Sequence, residues 1–240
     1  MDGMYPRSGR SLLTAPARPW AGGVLACCAI LVAVLGGLFA HQATADRFDH
    51  AVDSPVITLF GAHQDVAGWL AFPGTLIPAV VLSAAMVIGC LLTGRLAGAV
   101  LAAVAVPVAV GLNEALLKPL VHRTYLGQVT YPSGHTATMF ALATTVTVLL
   151  ATPRAATARP LRILIIAAAY LLGVVVAVAV IGLRWHYLTD TVAGAAVGTG
   201  TVCGLALALD RPAVRRRLGI ASRRLSVVRR SRTPRRSAVT

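Results

Sequence analysis

The sequence predicts an all-α fold, a polytopic membrane bundle with six transmembrane helices. Two observations lead there. Of the 240 residues, 57% are hydrophobic and 12% charged, against about a quarter charged in soluble domains. The charges are also spaced apart: none of Asp, Glu, Lys or Arg occurs in residues 19–45, 66–94, 96–113, 124–153, 163–183 or 191–209. Each interval holds a spanning helix of roughly 17–25 residues, and a soluble core has no need of six such runs.

Taken in order, residues 1–18 are a short, polar, basic N-terminal segment, and Trp20–Ala40 is the first span. Ala43-Thr44-Ala45 resembles a small-residue cleavage site, but the apolar run before it exceeds the roughly 7–15 residues of a signal-peptide core, which favours an uncleaved helix. Residues 41–71 read as an outer loop carrying Asp46, Asp49, Asp53 and Asp65, with 55–70 apolar enough to lie along a membrane surface. His41, His50 and His63 show no metal-ligand spacing, so a solvated loop is expected there. Pro73–Thr93 and Leu96–Leu117 form spans two and three around a tight turn at Gly94-Arg95. The third ends in Asn113, Glu114 and Lys118, polar groups that are costly at membrane depth. Glu114 and Lys118 also suit a plain salt bridge one helical turn apart. Spans four to six follow at His135–Thr152, Ile163–Gly182 and His186–Leu209, joined by a basic inner loop (Pro153–Arg162) and a short outer turn (Leu183–Trp185). Trp20, Trp69 and Trp185 fall at span ends, where indole rings prefer to sit.

With both termini in the cytoplasm, most of the 22 basic residues lie on the inner side, as the positive-inside rule requires. The net charge of +14 is therefore topological. The organisation expected is a cytoplasmic segment (1–18), a six-helix membrane domain (19–210) and an Arg-rich cytoplasmic tail (211–240) in a plasma-membrane protein. The tail suits anionic lipid head groups, and no nucleic acid is expected. Cys27, Cys28, Cys90 and Cys203 all fall within spans, with no disulfide or metal spacing.

The stretch with most chemistry is Tyr131-Pro132-Ser133-Gly134-His135, which closes a polar loop and opens a long apolar run. A helix starting here presents free amide N–H groups and its positive dipole end, a seat for an anion. The same tetrapeptide is also a plain helix start, with Ser133 as N-cap. On the expected topology the outer ends of spans three to six gather Lys118, His122, Arg123, Ser133, His135, Arg184, His186 and Asp190. His186 and Asp190 are four apart and share a helix face. A carboxylate that holds one ring N–H leaves the other nitrogen free as base or nucleophile, though a structural hydrogen bond has the same spacing. Two histidines among fixed cations at a helix N-terminus suit phosphoryl transfer.

These residues resemble the type 2 phosphatidic acid phosphatase and vanadium haloperoxidase superfamily, specifically its membrane lipid phosphatase branch. Pro132-Ser133-Gly134-His135 and the His186–Asp190 pair match its motifs, and the likeness runs from about Asn113 to Gly200. Two arginines are displaced. Tyr125 and Leu126 stand where the family has Arg-Pro, and Ala179 and Val180 where it has Ser-Arg, leaving Arg123 and Arg184 as shifted candidates. The resemblance implies that His186 attacks phosphorus to form a phosphohistidine while Asp190 orients it. It implies that His135 protonates the leaving oxygen and later activates water, and that Lys118, Arg123, Ser133, Gly134 and Arg184 hold the phosphoryl oxygens. No metal or other cofactor is implied. The expected activity is hydrolysis of a lipid phosphomonoester or diphosphate, phosphatidic acid-like or polyprenyl (undecaprenyl diphosphate among them), at the extracytoplasmic face. A lipid phosphotransferase and a catalytically silent binder of lipid phosphates are the alternatives. A transporter would need polar groups at mid-membrane, and the haloperoxidase branch is soluble.

Overall fold

The computed structural model describes residues 11–151, 158–212 and 214–218. Expectations about the first ten residues, about 152–157 and about most of the Arg-rich tail lie outside the described residues. Among the described residues the regular structure is helical apart from one short hairpin: α1 (Ala17–Phe39), α2 (Arg47–Phe60), α3 (Gln64–Ala71), a 3-10 turn (Phe72–Gly74), α4 (Leu76–Leu92), α5 (Leu96–Leu112), a π-helical turn (Asn113–Leu117), α6 (Lys118–Val121), β1 (Thr124–Tyr125), β2 (Gln128–Val129), α7 (Gly134–Leu150), α8 (Arg159–Gly182) and α9 (Leu188–Leu209). The antiparallel strands pair Thr124 with Val129 and Tyr125 with Gln128. Leu126 and Gly127 turn between them with φ of 48° and 80°, the left-handed geometry of a two-residue hairpin.

Among the described residues, five helical stretches are long and apolar enough to cross a membrane: Ala17–Phe39, Gln64–Leu92 (broken at the extended Thr75), Leu96–Val121, Arg159–Gly182 and Leu188–Leu209. The expected fourth span, α7, has 17 residues. At about 1.5 Å per residue it is shorter than any of those five. It is also the most enclosed, buried along nearly its whole length. Around it stand α9, α8 and α5, with α1 against α9 and α4 against α5. The outward faces of α1, α4 and α8 expose Ile30, Leu38, Val80, Leu92, Leu164 and Leu171, the arrangement of helices bathed in hydrocarbon.

Small residues bring α9 onto α7. A Cβ added to Gly194 would collide with the Ser133 carbonyl, and one added to Gly198 with the Ala137 carbonyl. This small-xxx-small spacing lets two backbones touch. At the other end of α7, Arg95 Nη2 donates to Leu149 O (2.9 Å) and Arg162 Nη1 to Leu150 O (3.3 Å), cations placed on the negative end of the helix. Asp210, at the end of α9, accepts the Leu12 and Leu13 amides (2.7 and 2.9 Å) and tethers the N-terminal segment.

The segment 41–71 differs from the solvated loop expected of it. It forms α2 and α3, both packed on α8, and Phe60 fills the space that a side chain at Gly182 would occupy. Asp49 and Asp53 are buried. Alternating polar and apolar residues conceal this in the sequence, because the donors that satisfy both carboxylates lie some 135–140 residues away in the chain. His41, His50 and His63 form no cluster with the carboxylates: among the described residues no three His, Cys, Asp or Glu side chains gather as metal ligands.

Candidate functional site

The stretch 131–135 starts α7 as its residues dictate. Ser133 is extended (φ −68°, ψ 119°), and its hydroxyl caps the helix by accepting from the Thr136 amide at 3.4 Å. Two neighbours fix this loop. The Ser133 amide donates to the Asp190 carbonyl (2.9 Å), and Asn113 Nδ2 donates to the Pro132 carbonyl (3.0 Å). The end of α5, the start of α7 and the start of α9 therefore meet at one point.

Beside that point lies a cavity of about 810 Å³. Five of the candidate site residues line it: Lys118, Gly134, His135, Arg184 and His186. The two imidazoles, far apart in sequence, thus share one chamber, and His135 feels the charges of His186 and Lys118. Its ring lies 5.4 Å from that of Trp185. Gly74 makes room for it, since a Cβ there would sit 3.0 Å from His135 Cβ. Arg184 takes a left-handed backbone conformation (φ 58°) just after α8, rare for a residue with a side chain and frequent at functional sites. It is exposed, and its guanidinium, with no hydrogen-bond or ion-pair partner among the described residues, is free for a ligand.

Lys118 is not free. The π-helical turn adds a residue to the ladder at Asn113–Leu117, a feature common at functional sites. Glu114, on that turn, meets Lys118 Nζ with both carboxylate oxygens (2.7 and 2.9 Å). Both residues line the cavity, so an incoming phosphate competes with Glu114 for the ammonium.

Three of the candidate residues stand outside the wall. The Ser133 hydroxyl is fully buried and spent on the helix cap. Asp190 is fully buried behind His186, with Oδ2 3.7 Å from His186 Nδ1, too long for a hydrogen bond. The reason is competition: Asp190 Oδ1 accepts from Arg123 Nη1 (2.7 Å) and Oδ2 from the Tyr187 amide (3.1 Å). His186 Nδ1 is buried beside this carboxylate with no other partner, which leaves Nε2 as the nitrogen on the cavity side.

Arg123 departs furthest from expectation. Rather than lining the cavity it is wholly buried, with Nη2 on Asp49 Oδ2 (2.5 Å) and Nη1 on Thr189 Oγ1 (2.6 Å) and Asp190 Oδ1. The Phe39 and Tyr187 rings cover its two faces, each with its centroid 4.2 Å away. As placed, no phosphate reaches it. A guanidinium flanked by two carboxylates, Asp49 and Asp190, finds its charge balanced where it is. Tyr125, at the position of the family's arginine, lines the cavity and packs on Tyr187 at 4.4 Å. Val180 and Ala179, in the place of the family's Ser-Arg, lie in an apolar cluster with Val176.

Sequence reasoning missed Asp49 and Asp53. Asp49 Oδ1 accepts the Thr189 amide (3.0 Å) and its Oδ2 the Thr189 hydroxyl (2.8 Å), while Asp53 Oδ1 accepts the Leu188 amide (3.2 Å). Burial and the neighbouring Asp49 carboxylate push the Asp53 carboxyl up to about 7. The one signal in the sequence was their i, i+4 spacing, which puts both on a single helix face.

No curated protein and no solved structure matches the chain. The family model of the PAP2 superfamily matches residues 78–212, more than half of the chain and the whole of the cavity's histidine-bearing half. The chain, a membrane-type helical bundle that brings His135 of its Pro-Ser-Gly-His loop and His186 of its His–Asp pair to one cavity, therefore belongs to the PAP2 superfamily.

Proposed function

We propose that the chain is an integral-membrane lipid phosphatase that works through a phosphohistidine. Phosphatase chemistry on phosphate esters follows from the family. The lipid, the covalent intermediate and the orientation in the membrane are the added reading. The observation that carries it is the meeting of His135 and His186 in one cavity with Arg184 and Lys118.

In this mechanism the cations and the Gly134 amide at the start of α7 hold the phosphoryl oxygens. His186 Nε2 forms a bond to phosphorus as the bond to the leaving oxygen breaks. His135 gives its proton to that oxygen, then takes one from water, whose oxygen displaces His186 and releases inorganic phosphate. Asp190, beside Nδ1, steadies the positive charge that grows on the His186 ring. A lipid is favoured because the cavity wall changes from charged to apolar towards α4 and α5, where Leu76, Ala79, Val106 and Val110 line it. The positive-inside distribution supports six spans with cytoplasmic termini, the cavity facing outward, in the plasma membrane, and a membrane domain over 19–210.

The test is phosphate release by purified protein from phosphatidic acid and from a polyprenyl diphosphate in chelator-treated detergent micelles. Loss of release in His186→Ala and in His135→Ala, inhibition by vanadate, and an acid-labile, base-stable phosphoenzyme are the expected results. Full turnover by His186→Ala sinks the covalent route. The pairing of Lys118 with Glu114 favours a second reading, a lipid-phosphate binder without turnover. Tight binding with no release in the wild type selects it.

A further inference from the structure

We propose that α2, a helix outside the spanning bundle, is the positioning layer of the site: Asp49 and Asp53 fasten the start of α9, and Asp49 shares Arg123 with Asp190. The inference rests on the reading of His186 as nucleophile, and it adds residues that the PAP2 motifs do not contain.

The geometry joins α2 to α9 through paired groups, with Arg123 Nε alone of that guanidinium's nitrogens left without a partner. The first two amides of α9, at Leu188 and Thr189, have no partners within their own helix and are taken by Asp53 and Asp49 (3.2 and 3.0 Å). Negative charge at a helix N-terminus is stabilising, and here α2 adds to what Asp190 supplies from within α9. Arg123 bridges Asp49 and Asp190 with zero exposure on all three side chains. The Thr189 hydroxyl closes the ring by accepting from Arg123 and donating to Asp49. His186 lies immediately before this anchored turn, so its ring position depends on it.

Charge follows the same logic. Alone, Arg123 neutralises Asp190. With Asp49 on its other side, Arg123 is shared, and Asp190 keeps anionic character towards His186 Nδ1. The charged and titratable groups around His186 are Asp190 beside its Nδ1, then Glu114, Lys118, Tyr125, His135 and Arg184 on the shared cavity wall, and, behind Asp190, Arg123, Asp49, Asp53 and Tyr187. Of these, Asp49 is the carboxyl group buried against the cation that holds Asp190.

Asp49→Asn is the test, in full-length protein normalised to the folded fraction on detergent gel filtration. The expected result is a fall in kcat of about tenfold with KM changed little. The acid limb of kcat/KM moves to lower pH by roughly half a unit, because one negative charge near the imidazole is gone. Asp49→Glu, which keeps the charge, holds the limb at its wild-type position. A purely structural role for Asp49 lowers the folded yield and leaves the limb in place, and that result overturns the proposal. Hydrogen exchange over residues 186–192 in Asp49→Ala, which removes the acceptor of the Thr189 amide, gives an activity-independent reading, with faster exchange of that amide expected and unchanged exchange overturning the anchoring. If Asp49→Asn does not fold, Asp53→Ala serves, since it removes the acceptor of the Leu188 N–H; unchanged exchange of the Leu188 amide there overturns the anchoring. Full turnover by His186→Ala instead defeats the phosphohistidine reading, and the exchange result then stands on its own.

Discussion

Replacing Arg123 by methionine removes the one cation in a buried cluster and keeps most of the side-chain volume. Asp49 and Asp190, both at zero exposure, are then left facing each other's charge. Breaking a buried pair by deleting one partner costs about 3–5 kcal/mol. A second route gives the same size. If one carboxyl escapes by taking a proton at pH 7, about three units above its ordinary pKa, the cost is about 4 kcal/mol. The two are alternatives and do not add. A loss of about 4 kcal/mol lowers Tm by on the order of 10 °C in a chain of this size. The assay is a thermal melt in detergent followed by gel filtration, at pH 7 and pH 5. The deficit shrinks at pH 5, where protonating the stranded carboxyl is cheaper. Adding Asp49→Asn to Arg123→Met restores part of the loss, as expected of coupled neighbours. A variant that melts like the wild type at pH 7, but needs far more substrate to saturate, refutes the reasoning and returns Arg123 to the phosphate.

Other predictions follow from the same geometry. Arg184→Ala, which deletes the cavity's unpartnered guanidinium, raises KM on the order of 10–100-fold, the worth of one charge-assisted contact of about 1.5–3 kcal/mol; an unchanged KM means that the phosphate does not meet Arg184. Gly198→Val forces α9 away from the Ala137 carbonyl and costs about 1–3 kcal/mol or more, so activity falls together with thermal stability; a stable, fully active variant means that the contact between α7 and α9 is dispensable. For Asp53, whose carboxyl is raised to about 7, the folded state favours the protonated form. The stability this contributes is complete below the unfolded pKa of about 4 and fades as pH rises through about 7. Asp53→Asn flattens that stretch of the stability profile in a pH series of melts, and a profile that keeps its slope places the titration elsewhere.

Much of this protein was legible in one dimension. Long charge-free intervals need no partner to declare themselves, because a helix in hydrocarbon satisfies its own backbone and shows apolar side chains all round. The start of α7 was equally local: Ser133 caps the helix from within its own turn. The i, i+4 spacing of His186 and Asp190 was a weaker guide: His186 lies before α9, which starts at Leu188, so the two meet across the extended Tyr187 and not on a shared helix face. The shape of the polar network was decided by tertiary structure. Arg123 had the right charge at nearly the right distance from Lys118 for a phosphate ligand, and only the approach of α2 turned it inward. Asp49 and Asp53 read as solvated because their donors, the Leu188 and Thr189 amides, are distant in sequence. A buried charge is tolerable only when its counter-charge and hydrogen-bond donors are in place, and those are supplied by packing between helices. Local pattern therefore revealed which residues carry the chemistry, while the contact of α2 with α9 determined which face a ligand and which hold the others in position.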